Sequence, residues 1–155
     1  MHMNSMMAED TKNKFEDLQI YEGYQIKRLG ANLVEIKFNK GFEGELEDAK
    51  LIVSNLKKIC VNNNPILLLA IYAEDNSFSK EARNFVASKE VNKVVKAEAL
   101  VINSLALRIM GNFYLKVNKP ARESKLFNNR ELALEWLKLR WCHSALITYA
   151  LNFNI

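Results

Sequence analysis

Cysteine, histidine, glycine and long apolar runs are all scarce in this chain, and each shortage closes off a class of chemistry. Two cysteines in 155 residues, Cys60 and Cys142, are too few for a disulfide framework or a cysteine-rich metal site. Both fall where a helix would bury a small apolar side chain, which suits a reducing compartment. Neither histidine, His2 or His143, has a Cys, Asp or Glu at ligand spacing, so no zinc or iron site is expected. No G-x-S-x-G nucleophile elbow accompanies them, which argues against Ser-His-Asp or Cys-His hydrolysis. The five glycines, at 23, 30, 41, 44 and 111, form neither a dinucleotide fingerprint nor a P-loop. No segment approaches the ~20 apolar residues of a membrane span, and the opening "MHMNSMMAEDTKNKFEDLQ" lacks an apolar stretch of signal-peptide length. A cytoplasmic protein that uses no cofactor is the expectation.

What is present describes one globular domain. Hydrophobic residues make up 49% and charged residues 26%, enough for a single well-buried core. The net charge of +4 comes from 22 basic residues interleaved with 18 acidic ones, so the surface reads as solvated mixed charge. Only between Arg108 and Arg140 does a local excess appear, eight Lys or Arg against three Glu, which could attract phosphate or an acidic surface. Nucleic acid would require basic residues among exposed aromatics. "NFYLKVNKPAR" has part of that character, but Phe113 is assigned to a buried stripe, and nucleic acid is not an expected partner.

Three segments follow: a loose leader at 1–14, a domain at 15–140 and an apolar tail at 141–155. In the domain, "YEGYQIKRL" and "NLVEIKFN" read as a hairpin turning at Gly30-Ala31, with Val34, Ile36 and Phe38 on one face and Glu35 and Lys37 on a wet one. "ELEDAKLIVSNLKKICVNN" is the clearest helix, with acids at Glu43, Glu45, Glu47 and Asp48 around its start and lysines late, as the helix dipole favours. "PILLLAIYA" has no alternation and reads as a central strand covered on both faces. Ser79 caps "KEARNFVASKEV", "AEALVI" is a further strand, and Ser104 caps a helix that Pro120 stops. "ESKLFN" and a helix from "NRELALEWLKLRW", with Asn128 and Glu131 at capping-box spacing, complete an order ββαβαβαβα. The expected core includes Leu56, Leu68, Ala70, Phe85, Val101, Met110, Phe113 and Trp136.

"SKEARNFVAS", "GNFYLKVNKP" and "KLFNNRELALEWL" resemble an uncharacterised bacterial family within the STAS or SpoIIAA-like group, over residues 24–139. Phe127, Ala133, Trp136 and Leu137 are similar to the F…A..WL closing pattern of SpoIIAA-like proteins. The resemblance implies an α/β fold, a mixed β-sheet packed against helices, with an extra C-terminal tail element and no known catalytic activity. STAS regulators of the anti-sigma-antagonist type carry an Asp-Ser-Ser or Asp-Ser-Thr motif with a phosphorylated hydroxyl. The corresponding "EDNSFSKEAR" lacks it, so no phosphosite carries over to Ser77 or Ser79.

The 106–118 helix carries more apolar surface than one buried face uses. At about 100° per residue its apolar side chains cover roughly 200° of arc. Ala106, Ile109, Met110, Phe113 and Val117 are assigned to the core, which leaves Leu107, Tyr114 and Leu115 over. The tail alternates Ile147, Tyr149, Leu151, Phe153 and Ile155 with polar residues, a pattern that favours a strand over a continued helix. Together these residues form a candidate homodimer interface: Leu107, Tyr114, Leu115, Ile147, Tyr149, Leu151 and Phe153. Ser79, Arg83, Lys116 and Lys119 are candidate contacts for an anion or a partner. The leading function is a non-enzymatic STAS-like regulatory or protein-interaction module. The alternative is a small carrier or sensor that binds an apolar or acidic ligand between the 106–118 helix and the sheet. A flat apolar patch favours the first, and a closed apolar cavity beside Met110 and Tyr114 favours the second.

Overall fold

The computed structural model describes the backbone of residues 17–153 and the side chains of residues 17–141. In chain order the elements are β1 (Leu18–Tyr21), β2 (Tyr24–Gly30), β3 (Leu33–Phe38), β4 (Glu43–Gly44), α1 (Leu46–Ile59), β5 (Ile66–Ile71), β6 (Ser77–Phe78), α2 (Lys80–Val86), β7 (Val95–Val101), α3 (Leu105–Phe113), β8 (Glu123–Phe127) and α4 (Arg130–Phe153). A six-stranded sheet runs in the order β1-β2-β3-β5-β7-β8, antiparallel across its first three strands and parallel from β3 onward. The run "YEGYQIKRL" is two strands rather than one, because Gly23, at φ +88°, turns the chain between Tyr21 and Tyr24.

β5 lies between β3 and β7, and its uninterrupted apolar run is explained by helices on both faces. On one face Ile66, Leu68 and Ala70 meet Ile52, Leu56 and Ile59 of α1 together with Leu107 and Tyr114. On the other, Leu67 and Leu69 join Ala97, Ala99 and Val101 of β7 beneath Ala133 and Leu137 of α4. The face of β3 expected to be wet is covered in part. Glu35 is buried, and its carboxylate pairs with the Arg130 guanidinium at 2.7 Å, where α4 begins.

Helix boundaries follow local hydrogen-bonding chemistry. Ser79 and Ser104 cap α2 and α3, accepting from the amides of Ala82 and Leu107. α4 is capped by Asn129, whose Oδ1 accepts from Glu131 and Leu132, one residue later than the Asn128–Glu131 spacing suggests. α4 then runs on to Phe153, so the tail backbone is helical and not a strand. No Gly or Pro stands between Trp141 and Leu151 to end it, and a helix satisfies its own backbone groups without a neighbouring strand. The leader at 1–14 and the tail side chains, Ile147, Tyr149, Leu151 and Phe153 among them, lie outside the described residues.

The buried face of α3 is opposite to the one expected. Leu107, Gly111 and Tyr114 point inward, whereas Met110 and Phe113 are 39% and 44% exposed and Leu105, Ile109 and Val117 more so. Gly111 is the reason. A Cβ there would stand 2.9 Å from Leu126 Cδ2 and 3.0 Å from Ile102 Cδ1, so glycine lets the helix rest this close on the sheet without displacing those side-chain ends. After Phe113 the helix widens into a π-helical turn over Tyr114–Asn118 and stops at Lys119, φ +49°, ahead of Pro120. Leu56, Leu68, Ala70 and Val101 are buried as expected, and Phe85 and Trp136 are half-buried.

Trp136 lies between the Phe127 ring, at 5.7 Å, and the Arg140 guanidinium, 3.7 Å from its ring centroid. Leu137, on the same helix, is fully buried. Leu137→Ala is therefore expected to cost about 2–5 kcal/mol in chemical denaturation, and the larger Trp136→Ala about 1–2 kcal/mol. An equal or greater loss at Trp136 would contradict this packing.

Candidate functional site

A cavity of about 250 Å³ lies between the sheet and helices α1, α2 and α3. Its walls are Ile36, Leu68 and Ala70 from the strands, Ala49, Ile52 and Leu56 from α1, Ala82 and Val86 from α2, and Leu107, Met110, Gly111 and Tyr114 from α3 and its π turn. One end is aromatic. Phe38, Tyr72 and Phe78 meet there, with Phe38 stacked on Tyr72 at 5.1 Å and edge-on to Phe78 at 5.3 Å. Phe38 and Tyr72 stand at the carboxyl ends of parallel neighbours β3 and β5, the edge at which open α/β sheets place their ligands. Of the lining residues, Ser77 and Met110 are exposed and Arg83 half-buried, which marks the mouth.

One wall holds a buried ionic cluster. Register across the sheet sets Leu68 beside Glu98 and Glu98 beside Ser124, so the Glu98 carboxylate projects among apolar neighbours. Arg122 Nη2 donates to Glu98 Oε2 at 2.9 Å, and both side chains are almost completely buried. Glu98 Oε1 accepts from Tyr114 Oη at 2.9 Å and from Ser124 Oγ at 2.7 Å. Arg122 also donates to Val86 O, Asn92 Oδ1 and Tyr114 Oη. Its Nε has no hydrogen-bond partner among the described residues. Burial, then the Glu98 charge, push the hydroxyls of Tyr114 and Tyr72 well above the ordinary tyrosine range. Both rings stay protonated at any physiological pH.

Arg83 occupies the mouth. Its Nη1 donates to Phe78 O at 2.5 Å and its guanidinium stacks on the Phe113 ring, 5.6 Å from the centroid. Its buried Nε also lacks a partner among the described residues. Of the four residues expected to contact an anion, Arg83 alone lines the cavity; Ser79 is committed to its cap, and Lys116 and Lys119 are exposed on and beyond the π turn. Of the expected interface residues, Leu107 and Tyr114 turn inward to the cavity and Leu115 packs against the core. The surplus apolar surface is instead Leu105, Ile109, Met110, Phe113 and Val117. Of the basic excess between Arg108 and Arg140, Arg122 is buried on Glu98 and Arg130 pairs with buried Glu35, while Arg108, Lys116, Lys119, Lys125 and Lys138 remain exposed.

Glu98 and Arg122 carry no signal in the sequence. "AEALVI" reads as an ordinary strand, and Arg122 falls in a loop after Pro120. A carboxylate inside an otherwise apolar strand is the one clue, because such a charge needs a partner. Cys60 adds no reactivity. Burial raises the pKa of its thiol, and Sγ sits against Leu56 O. Among the described residues no group of three or more His, Cys, Asp or Glu could hold a metal ion, and no helix is long and apolar enough to cross a membrane.

Two outcomes test this cluster. Arg122→Met, which leaves Glu98 charged and unpaired, is expected to cost about 3–5 kcal/mol in denaturant titration, and Glu98→Leu with Arg122→Met together clearly less than the single change. The second concerns alkaline pH. A tyrosine whose folded pKa lies above its unfolded value of about 10 contributes stability that is present below that value and lost as pH rises beyond it. Tyr72→Phe is therefore expected to make the fall in stability above pH 10 shallower. An unchanged slope would place Tyr72 in solvent.

No curated protein matches the chain. Among solved structures it is similar to an uncharacterised protein of the DUF3478 family from Shewanella loihica PV-4, described as having a SpoIIAA-like fold, with 16% identity and a TM-score of 0.51 over 74% of this chain and 91% of that one. At that identity the likeness establishes the fold, which is SpoIIAA-like, as the closing pattern of Phe127, Ala133, Trp136 and Leu137 implies. A family model matches residues 28–139, from β2 into α4, and takes in every residue that lines the cavity. The chain belongs to that family, described as a domain of unknown function, DUF7793.

Proposed function

We propose that this SpoIIAA-like domain is a small non-enzymatic carrier or sensor that binds a compact apolar ligand between α3 and the sheet. The observation that carries this reading is the cavity beside Met110 and Tyr114, the feature that distinguishes a ligand-binding domain from a plain docking module. Its walls are aliphatic and aromatic, with a few convergent polar groups at two ends, the usual construction of a small-molecule site. At about 30 Å³ for each water-sized group, the space suits a body of about eight non-hydrogen atoms.

Titration with 1-octanol, followed by calorimetry and by NMR of the lining methyl groups, tests it. Saturable shifts at Leu68, Val86 and Leu107 are expected. Ala49→Leu, which places a larger side chain in the same space, is expected to weaken octanol at least ~10-fold while costing less than about 1.5 kcal/mol of stability. Absence of octanol binding, or binding insensitive to Ala49→Leu, would remove the cavity from consideration.

A second reading rests on the outer side of the same helix. Leu105, Ile109, Phe113 and Val117, four residues apart, form an exposed apolar stripe with Met110 beside it. We propose that the stripe docks a protein, with a second copy of the chain as the first candidate, since two-fold homodimers are the commonest assembly. In this reading the domain is a STAS-like regulatory module of the reducing cytoplasm. Light scattering on the full chain, on Ile109→Glu and on a chain ending at Arg140 tests the dimer. A dimer that Ile109→Glu makes monomeric without loss of folding is expected; a monomer in all three leaves the stripe to another protein.

A further inference from the structure

We infer that the ligand of this cavity is a monoanionic amphiphile whose carboxylate rests on Arg83 while its apolar body lies along the cavity. This rests on the cavity being a ligand site and adds the chemistry of the ligand. Charge is the first ground. Three charged side chains line the cavity, Arg83, Glu98 and Arg122. Glu98 and Arg122 neutralise each other at 2.9 Å, and the remaining Glu98 oxygen is held by Tyr114 and Ser124. Arg83 forms no ion pair with a described carboxylate, so the cavity as a whole carries one uncompensated positive charge.

Geometry is the second ground. Arg83 is anchored on two sides, by its bond to Phe78 O and by the face of Phe113. A guanidinium held on two sides offers its remaining N–H groups, Nε–H and Nη2–H, in the planar fork that matches a carboxylate. Its buried Nε is one of four buried side-chain polar atoms without a partner among the described residues; Arg122 Nε, also on this cavity, is another, but that guanidinium is already ion-paired with Glu98. Native proteins leave few such groups unpaired, and one on a cavity wall is accounted for when a ligand oxygen completes it. Position is the third ground. Arg83 stands at the mouth, where Ser77 and Met110 reach solvent, so the head group keeps partial hydration. The inner wall, with Glu98 already charged, disfavours a second anion. The ligand therefore enters apolar end first.

Calorimetry with a matched series of one chain length and three head groups tests this: sodium octanoate, 1-octanol and octylamine. The full chain is expected to bind octanoate at least ~10-fold more tightly than octanol, and octylamine worst. Arg83→Gln is expected to weaken octanoate by about 10- to 100-fold, the loss of a charge-assisted hydrogen bond, and to leave octanol unchanged. Arg83→Lys, which keeps the charge, is expected to recover part of the octanoate affinity. Octanol bound as tightly as octanoate by the unaltered protein would overturn the anionic head group while leaving the cavity reading standing. If none of the three binds, both fall. Should Arg83→Gln fail to fold, the octanoate-to-octanol ratio of the unaltered protein still decides.

Discussion

Much of this domain is organised around one ion pair buried away from water. Removing Glu98 and Arg122 from solvent costs several kcal/mol for each charge, and their attraction offsets this only when the remaining donors and acceptors are also met. That requirement, met among the described residues for every group of the pair except Arg122 Nε, draws in distant parts of the chain. Arg122 reaches Glu98 on β7, Tyr114 on the π turn, Val86 at the end of α2 and Asn92 on the short 3₁₀ turn before β7. Three segments that cover one face of the sheet, and the strand β7 beneath them, are thereby tied to a single guanidinium. The hydrophobic effect drives these elements onto the sheet but is not directional. The hydrogen bonds of the cluster set where each one stops.

The cavity follows from that arrangement. α3 is held close to the sheet at Gly111 and at Tyr114, on the side towards β8, while α1 packs on the other side through Ile52, Leu56 and Ile59. Between them β5 and β7 present Leu68, Ala70, Glu98 and Leu100, and α1 and α2 set alanine at positions 49 and 82 among the larger Ile52, Leu56 and Val86. Small side chains opposite a strand whose central residue is engaged sideways with Arg122 leave a space the helices do not fill. Polar chemistry is confined to its ends, with Arg83 at the mouth and the neutralised pair at the wall.

The same geometry explains the outward stripe on α3. Both sides of this helix are apolar, so amphipathicity alone assigns no inward face, and the longer stripe of Ile109, Met110 and Phe113 looks the better candidate. Burial depends on fit as well as on hydrophobicity. The row of Leu107, Gly111 and Tyr114 combines a side chain of moderate size, a position with no Cβ and a phenol with a buried acceptor waiting for it. Tyr114, seven residues after Leu107, keeps the α-helical register and reaches Glu98 from the first position of the π turn.

Local periodicity and capping chemistry are short-range properties, and the sequence by itself determined what depends on them. These include the helical span of α1, the covered central strand from Ile66, the serine caps at Ser79 and Ser104, and the SpoIIAA-like ending through Phe127, Ala133, Trp136 and Leu137. Gly111 was a legible clue to the close approach of α3, because a glycine in a helix interior costs stability unless something needs the space. Tertiary structure alone decided the rest. The partner of Glu98 lies 24 residues away, and that of Tyr24 Oη, Asn55, 31 residues away. Spacing within an element carries no information on such pairs. Whether Arg83 lies open on the surface or at the mouth of a cavity depends likewise on how α2 and α3 dock, and that docking is set by the buried charge cluster.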